Sequence, residues 1–199
     1  MNIITYKEEL IRKLIHLTSL WIPISYLYCS TAVMLKILFP LMIIAIAIDC
    51  VRKFSSKING LVNKLLGKIM RQDERESTSF SGATYLLMSS VLTIAFFEKE
   101  IAIFALTILM ISDSCAALIG RRFGRIKIIG KTVEGSFSFI LSALLIYFYF
   151  VSCWEFELHF KISLVAILVG SITELFAKKL CLDDNFAIPI AISLVLTLA

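Results

Sequence analysis

One stretch of the sequence joins an acidic residue, a row of small residues and a cluster of basic residues. The row is Asp113, Ala116, Ala117, Gly120 and Gly124, whose spacing places them on one face of a helix. The basic residues and the turn after them are Arg121, Arg122, Arg125, Lys127, Lys131, Glu134 and Gly135. Carboxylates hold Mg²⁺, and guanidinium groups clamp phosphate oxygens. The stretch therefore predicts a site for a metal-bound polyphosphate.

The tripeptide Gly130-Lys131-Thr132 is similar to the end of a P-loop, but the rest of that motif is missing. A P-loop needs a glycine five positions before Gly130. That position holds Arg125, and no strand–loop–helix pattern surrounds it. The sequence therefore excludes a nucleotide site of the P-loop type.

Three further ionisable residues lie in or beside apolar segments, close to the same end of each segment. Asp49 and Glu174 stand near the ends of two apolar runs, as Asp113 does in a third, and His16 stands at the start of the first. An acid at mid-membrane costs about 2.5–3.5 kcal/mol, and less near the interface. For Asp49 and His16, a structural ion pair or cap is the alternative to a role in chemistry.

Membrane-spanning helices must position these residues. The chain is 59% hydrophobic and 18% charged, with a mean hydropathy of +0.89. Only three of its charged residues fall inside the apolar windows 17–35, 37–51, 83–97, 101–120, 136–154, 162–177 and 186–199. A spanning helix needs about 20 apolar residues, and these runs lack the alternation of a β-barrel. The sequence predicts an all-α, polytopic bundle of about seven transmembrane helices in a single domain, 1–199.

The basic residues predict the orientation. Seventeen of the 20 lysines and arginines lie on one side of the predicted spans, and only Lys36, Lys99 and Lys161 lie on the other. Because cytoplasmic loops carry the excess of basic residues, the N-terminus and the polar loops 52–82 and 120–135 are predicted to be cytoplasmic. The net charge of +5 is explained by topology, so no nucleic-acid partner is expected. The membrane would be the inner membrane of a bacterium or the endoplasmic reticulum of a eukaryote.

The loop 52–82 predicts an amphipathic helix on the cytoplasmic leaflet. Its apolar residues recur at helical spacing, and basic residues fall between them: Ile58, Leu61, Val62, Leu65, Leu66, Ile69 and Met70, with Lys57, Lys64, Lys68 and Arg71. Such a helix lies in the membrane interface. It serves either as an anchor alone or as a guide for a lipid substrate. The five scattered cysteines show no metal-binding spacing.

Four motifs in order resemble the membrane family of dolichol kinase, phytol kinase and CTP-dependent diacylglycerol kinase. They are Glu9-x-x-Arg12-Lys13-x-x-His16; Ser81-Gly82-Ala83-Thr84-Tyr85; Asp113-x-x-Ala116-Ala117-x-x-Gly120-x-x-x-Gly124 with Lys131-x-x-Glu134-Gly135-Ser136; and Glu174 followed by Asp183-Asp184-Asn185-Phe186-x-x-Pro189. The resemblance covers most of the chain. It implies transfer of a phosphoryl group from CTP, or from ATP, to the hydroxyl of a polyprenol, phytol or diacylglycerol in the membrane.

Under this hypothesis the motif residues divide into three roles. The predicted metal ligands for Mg²⁺ are Asp113, Glu134 and Asp184. The predicted phosphate- and nucleotide-binding residues are Arg121, Arg122, Lys131, Gly120, Gly124, Gly135 and Asn185. The predicted catalytic residues are Asp113 together with Glu174 and His16, either of which would take the proton of the lipid hydroxyl.

Two alternatives stay open at this point. The Asp113 motif is also similar to CDP-diacylglycerol synthase, a cytidylyltransferase that makes a CDP-lipid, but the Gly-His motif at the end of that family is replaced by Asp183-Asp184-Asn185 and Pro189. A small ion-coupled transporter is the other alternative. It is disfavoured because the outer halves of the predicted spans carry no charge.

Overall fold

The computed structural model describes residues 5–67, 70, 74 and 79–198 and shows an all-α protein, as the sequence predicts. Its helices are α1 (Tyr6–Thr18), α2 (Trp21–Tyr28), α3 (Thr31–Phe54), α4 (Ser56–Leu66), α5 (Gly82–Phe96), α6 (Lys99–Phe123), α7 (Val133–Trp154), α8 (Phe160–Phe176) and α9 (Asp184–Thr197). An antiparallel hairpin of β1 (Lys127–Ile128) and β2 (Lys131–Thr132) connects α6 to α7. A 3₁₀ turn, Ala177–Leu180, follows α8.

Side-chain caps fix the starts of many of these helices. Thr5 caps α1 in a capping box, in which the Glu8 carboxylate accepts from the Thr5 backbone N–H at 2.8 Å. The other caps, in chain order from α3, are Ser30, Ser55, Ser81, Thr132 and Asp183. Each cap satisfies a backbone N–H that the first turn of its helix leaves without a partner.

The first predicted span, 17–35, does not form one helix. Its residues belong to the end of α1, all of α2 and the start of α3, with breaks at Ser19–Leu20 and at Cys29–Ser30. Cys29 and Ser30 adopt extended backbone angles, and the Ser30 hydroxyl caps α3. Lys36, predicted to lie between two spans, therefore lies inside α3. Neither break contains a charged residue, so a search for uninterrupted apolar runs does not detect them.

The bundle is arranged around α6. Within the apolar window of α6, 78% of the residues are buried, whereas the corresponding share in α3 is only 11%. α7 packs along α6, and α1, α2, α5 and α9 contact α6 as well. α3 instead packs on α5 and exposes a row of large apolar side chains, which include Phe39, Ile44 and Ile48. This exposure fits a helix that faces lipid.

The bundle has two ends of different character. At one end, Lys99 Nζ donates to the Leu27 carbonyl at 3.1 Å, and the Glu157 backbone N–H donates to Glu100 at 2.9 Å. Short connections meet there. The opposite end carries the hairpin, the 3₁₀ turn and the ionisable side chains of the predicted site, so we call it the polar end.

Three of the described helices are long and apolar enough to cross a membrane: α3, α6 and α7. Two shorter apolar helices, α5 and α9, accompany them. α5 to α9 coincide with their predicted apolar windows to within three residues, whereas α3 begins six residues before the window 37–51. The loop predicted at 120–135 begins later, since α6 continues to Phe123.

α4 is amphipathic, as the loop pattern predicts. Lys57 and Lys64 are exposed, and so are the apolar Ile58 and Leu61. Of the other members of the predicted pattern, Met70 is buried, whereas Lys68, Ile69 and Arg71 lie outside the described residues. An exposed helix with basic and apolar side chains suits a membrane surface.

Candidate functional site

A polar cleft of about 160 Å³ opens at the polar end of the bundle. The residues that line this polar cleft come from α1, α6, the hairpin, α7, α8 and α9. Its charged residues are Glu9, Arg12, Lys13, Asp113, Arg121, Lys131, Glu174 and Asp184. The cleft thus gathers four basic and four acidic side chains, each of which belongs to an ion pair.

Asp113 lies at the bottom of the polar cleft. It is 2% exposed and pairs with the buried ammonium group of Lys13, which α1 brings across to α6. The sequence motif gives Lys13 no role of its own. Lysine is almost never fully buried unless it is paired. The burial of Lys13 therefore marks it as a residue of the site, and the sequence alone does not reveal that burial.

Lys131 reaches the cleft from the first position of β2, directly after the hairpin turn. Its ammonium group pairs with Glu174 and lies 3.5 Å from the carboxylate of Asp184. Ile129 and Gly130 both have positive φ, 50° and 80°, which produces the tight turn that aims Lys131 inward. Burial alone would lower the pKa of Lys131, but Asp184, Glu174 and Asp113 together raise it above the ordinary value. Lys131 therefore keeps its positive charge at neutral pH.

A second ion-pair chain forms the rim of the cleft. Glu9 accepts from Arg12 at 2.6 Å, and its other oxygen lies 2.9 Å from the guanidinium of Arg121. Glu9 is buried, whereas Arg121 is exposed. The predicted phosphate-binding residue Arg121 is therefore held at the mouth of the cleft.

The glycine row brings α6 against the start of α7. A Cβ added at Gly120 would lie 2.7 Å from Thr132 Oγ1, and one at Gly135 would lie 2.9 Å from the Ala116 carbonyl oxygen. Gly120 and Gly135 also line the polar cleft, whereas Gly124 packs against Thr132 outside it. The start of α7 approaches α6 so closely at Gly120 and Gly135 that a residue with a Cβ would not fit without a shift.

Replacing Gly135 with alanine is expected to destabilise the protein. The added methyl group would lie 2.9 Å from the Ala116 carbonyl oxygen, a backbone atom that cannot rotate away, and 3.1 Å from Thr132 Oγ1. Overpacking of this kind costs about 1–3 kcal/mol. We expect the Tm of the detergent-solubilised protein to fall by several degrees.

Gly60 provides the matched control for this substitution. It lies within α4, and a Cβ there meets nothing within 4 Å. Gly60→Ala should raise stability slightly, since glycine inside a helix costs roughly 0.5–1 kcal/mol relative to alanine. Equal Tm values for Gly135→Ala and Gly60→Ala would contradict the close packing.

Arg122 and Glu134, two of the predicted site residues, line a separate depression and not the polar cleft. Arg122 stacks its guanidinium over Phe123 at the C-terminal end of α6. Glu134 lines the same depression, where its carboxylate accepts from the backbone N–H groups of Arg125 at 2.9 Å and Ile126 at 3.3 Å. The structure therefore does not bring Glu134 to Asp113 and Asp184, and Glu134 instead closes the turn after α6.

A second, mostly apolar cleft of about 310 Å³ lies next to the polar cleft, between α1, α3, α4 and α5. Its apolar lining consists of Ile15, Ile48, Val62, Met70, Ala83 and Leu86. Arg12 and Lys13 line both clefts and so form the wall between them. The predicted site residues His16 and Asn185 line this apolar cleft and not the polar one.

Asp49 has a structural role at the base of the apolar cleft. One carboxylate oxygen accepts from Arg52 at 2.9 Å. The other accepts from the Ser81 backbone N–H at 2.7 Å and from the Thr84 hydroxyl at 2.6 Å. These bonds fasten α3 to the first turn of α5. Asp49 therefore forms a structural ion pair with Arg52, which is one of the two alternatives that the sequence leaves open.

The chain has relatives of known and unknown activity. An uncharacterized protein of Rickettsia prowazekii is 31% identical over 192 residues, which cover 94% of this chain and 92% of its own length. CTP-dependent diacylglycerol kinase 1 of Saccharomyces cerevisiae is 27% identical, over 94% of this chain and 72% of its own length. Phytol kinase 1 of Arabidopsis thaliana is 28% identical, over 67% of this chain and 49% of its own length. No family model and no solved structure matches the chain.

Proposed function

The chain belongs to the polyprenol kinase-like family that includes CTP-dependent diacylglycerol kinase and phytol kinase, and we propose that it transfers the γ-phosphoryl group of CTP to the hydroxyl of a membrane lipid alcohol. Both named relatives are kinases, so the chain is a phosphotransferase that acts on a lipid alcohol. CTP as the donor is supported by the name of the yeast relative. ATP is the donor to test against it.

The observation that carries the proposal is the convergence of separate segments in the polar cleft. Asp113 comes from α6, Lys131 from the hairpin, Glu174 from α8 and Asp184 from the first turn of α9. Phosphoryl transfer depends on positioning and on stabilising charge, and this cleft supplies both kinds of charged group. With Glu9, four buried acids line this cleft, which the packing surface of a helical bundle does not require.

The basic residues of the polar cleft suit a triphosphate. Lys13 and Lys131 now contact carboxylates, and Arg121 pairs with Glu9 at the rim. A bound triphosphate would accept hydrogen bonds from these groups in place of the carboxylates. Their positive charge would then stabilise the charge that spreads over the equatorial oxygens of the transferred phosphoryl group.

The acids of the cleft fit a magnesium ion that arrives with the nucleotide. Asp113 and Asp184 line the same cleft, and we propose them as the protein ligands. Proteins usually bind Mg²⁺ through one or two carboxylates, with phosphates and water as the other ligands. Within the described residues, no group of three or more His, Cys, Asp or Glu could hold a metal ion. Binding through two carboxylates and the phosphates of the nucleotide does not need such a group. The ion, when bound, neutralises charge on the β- and γ-phosphates.

The reaction forms one P–O bond, breaks another, and moves one proton. The oxygen of the lipid hydroxyl bonds to the γ-phosphorus, while the bond from that phosphorus to the β–γ bridging oxygen breaks and its electrons leave with CDP. The hydroxyl proton passes to a base, for which Glu174 and His16 are the candidates. Glu174 accepts from Lys131, whereas His16 Nε2 is buried with no hydrogen-bond partner in the part of the chain that the structure describes. Of the two, only His16 lines the apolar cleft.

We further propose that the chain is a single membrane domain that crosses the bilayer about seven times, with its N-terminus and polar end in the cytoplasm. The excess of basic residues on that side supports this orientation. The hydroxyl of a lipid alcohol lies at the membrane interface, so a site at the ends of helices meets it without extracting the lipid tail. CTP is available on the same side.

Labelling of the chain's own cysteines tests the orientation. Cys153, near the end of α7, and Cys181, after the 3₁₀ turn at the polar end, are both exposed. In bacterial cells with single-cysteine variants, we expect a membrane-impermeant maleimide to label Cys153 from outside. Cys181 should react only after permeabilisation. Labelling in the opposite order would contradict a cytoplasmic polar end.

The activity itself is tested with purified protein and Mg²⁺. CTP or ATP labelled at the γ-position is offered with polyprenol, phytol or diacylglycerol in detergent micelles, and the labelled lipid monophosphate is measured. We expect transfer from CTP to at least one alcohol. If label from α-labelled CTP enters a CDP-lipid and pyrophosphate is released, the protein is a cytidylyltransferase and the proposal is wrong. Absence of any labelled lipid would also contradict it.

A further inference from the structure

We propose that the apolar cleft is the acceptor site, and that it binds the hydroxyl end of an uncharged lipid alcohol and rejects an anionic lipid of the same chain length. This inference rests on the proposed kinase function, which it extends from the donor to the acceptor. It follows from three properties of the cleft: its apolar walls, its position beside the polar cleft, and the pairing of its charges.

The apolar walls of the cleft suit an alkyl or prenyl chain. Leu86 is buried, while Ile15 and Ile48 line the cleft and are each about half exposed, at 50% and 51%. These two side chains therefore stand at the mouth, on the surfaces of α1 and α3 that face lipid. A lipid would enter sideways between α1 and α3, and most of its chain would remain in the bilayer.

The position of the cleft places an acceptor next to the donor. Arg12 and Lys13 form the shared wall, and Lys13 pairs with Asp113 on the donor side. A hydroxyl at this wall is separated from the polar cleft by the thickness of one side chain. The cleft at the opposite end of the bundle, which Lys99 and His159 line, shares no described lining residue with the polar cleft.

Three side chains that line the cleft each carry a buried polar atom without a hydrogen-bond partner among the described residues. Arg12 Nε, Arg52 Nε and His16 Nε2 are buried and make no hydrogen bond within the described residues. Arg52 as a whole is only 4% exposed. A buried donor without a partner costs about 1–3 kcal/mol, so such atoms call for a ligand or water. A hydroxyl oxygen accepts from a guanidinium N–H and can donate its proton to an imidazole nitrogen.

The charges at the cleft favour an uncharged ligand. Arg12 pairs with Glu9, Lys13 with Asp113, and Arg52 with Asp49. Among the described residues, every cation that lines the cleft is already paired, and the carboxylate of Glu74 lines it as well. An anionic headgroup would therefore be repelled by Glu74 and would find no unpaired cation to offset that repulsion. The oxygen of an alcohol would accept hydrogen bonds from the remaining guanidinium N–H groups and would leave every ion pair intact.

A substitution that fills the cleft tests the inference kinetically. Ala83 lines the cleft in the first turn of α5 and is exposed, so Ala83→Phe places an aromatic ring in the space of the lipid chain. With the alcohol that the wild type phosphorylates, we expect the KM for the alcohol to rise at least about tenfold and the KM for the nucleotide to stay unchanged. Ala95→Phe is the matched control, because Ala95 is an exposed alanine of the same helix outside the cleft. Equal alcohol KM values in the two variants would overturn the assignment.

Photolabelling of the wild-type protein gives an independent readout. The probe is hexadecanol with a diazirine near the hydroxyl, added in detergent without nucleotide, and the labelled residues are mapped by mass spectrometry. We expect label on residues of α1, α3 or α5 that line the apolar cleft, with protection by unlabelled hexadecanol and none by palmitate at the same mole fraction. Label elsewhere would overturn the site, and equal protection by palmitate would overturn the preference for an uncharged ligand.

The two arms separate failure of this inference from failure of the proposed function. Site-specific labelling together with no phosphoryl transfer to any alcohol would leave the acceptor cleft in place and contradict the kinase. Phosphoryl transfer with no change on Ala83→Phe and no label in the cleft would leave the kinase in place and contradict the acceptor cleft.

Discussion

Asp113→Asn is expected to reduce lipid phosphorylation at least about 1000-fold, while the protein still inserts into the membrane. Asp113 is buried at the bottom of the polar cleft and pairs with Lys13. Asparagine keeps the volume of the side chain but removes the negative charge that the proposed metal-bound triphosphate requires. The measurement is transfer of γ-label to the lipid at saturating CTP and Mg²⁺.

A second variant distinguishes lost chemistry from lost stability. Asp113→Asn leaves Lys13 buried without a counter-charge, and breaking a buried pair costs about 3–5 kcal/mol. The double variant Lys13→Gln, Asp113→Asn removes both charges, so it should recover the Tm in detergent but not the activity. Asp183→Asn is the matched control, since asparagine caps a helix as well as aspartate does. Recovery of activity in the double variant would show that Asp113 serves only to pair with Lys13.

The helices are predictable from the sequence where polar residues end an apolar run. α5 to α9 begin and end near the predicted windows because charges or caps stand at both ends of the runs of α5 to α8 and at the start of the run of α9. The break between α2 and α3 escapes the same reasoning. Cys29 and Ser30 are compatible with a hydrophobic window, and only the backbone conformation and the hydroxyl cap of Ser30 reveal that a new helix starts there.

The convergence of the acids is predictable from topology, but the division of the predicted site residues between two clefts is not. Asp113, Glu174 and Asp184 were each predicted at one end of the bundle, and they share the polar cleft. Asn185 follows Asp184 directly and yet lines the apolar cleft. Consecutive residues of a helix point about 100° apart, so neighbours in a motif face different surroundings. Arg121 and Arg122 are separated by the same geometry.

The pairing of Lys13 with Asp113 lies beyond what spacing can predict. The two residues are one hundred positions apart, and no periodicity relates α1 to α6. Their contact depends on how α1 packs on α6, which in turn depends on the shapes of apolar side chains. The motif around His16 suggested that α1 takes part in the site, but not that it supplies the wall between two clefts.

Lys131→Gln is expected to lower kcat/KM for the nucleotide by roughly 100- to 1000-fold. Lys131 carries the positive charge of the hairpin into a group of three acids, and glutamine cannot supply it. The loss should appear as a higher KM for CTP and a lower kcat, because the charge stabilises both the bound triphosphate and the transition state. The KM for the lipid alcohol should stay unchanged, because Lys131 lines the polar cleft and not the apolar cleft.

Lys127→Gln is the matched control for this prediction. Lys127 lies opposite Thr132 in the register of the same hairpin, but its side chain is exposed and lines neither cleft. Both substitutions remove one positive charge from the hairpin, so a general effect of charge on nucleotide attraction would weaken the two variants alike. A comparable loss in Lys127→Gln would therefore show that long-range attraction to the basic end, and not contact with phosphate, explains the role of Lys131. A large loss in Lys131→Gln alone, with Tm values that remain similar, assigns the effect to the ammonium group inside the cleft.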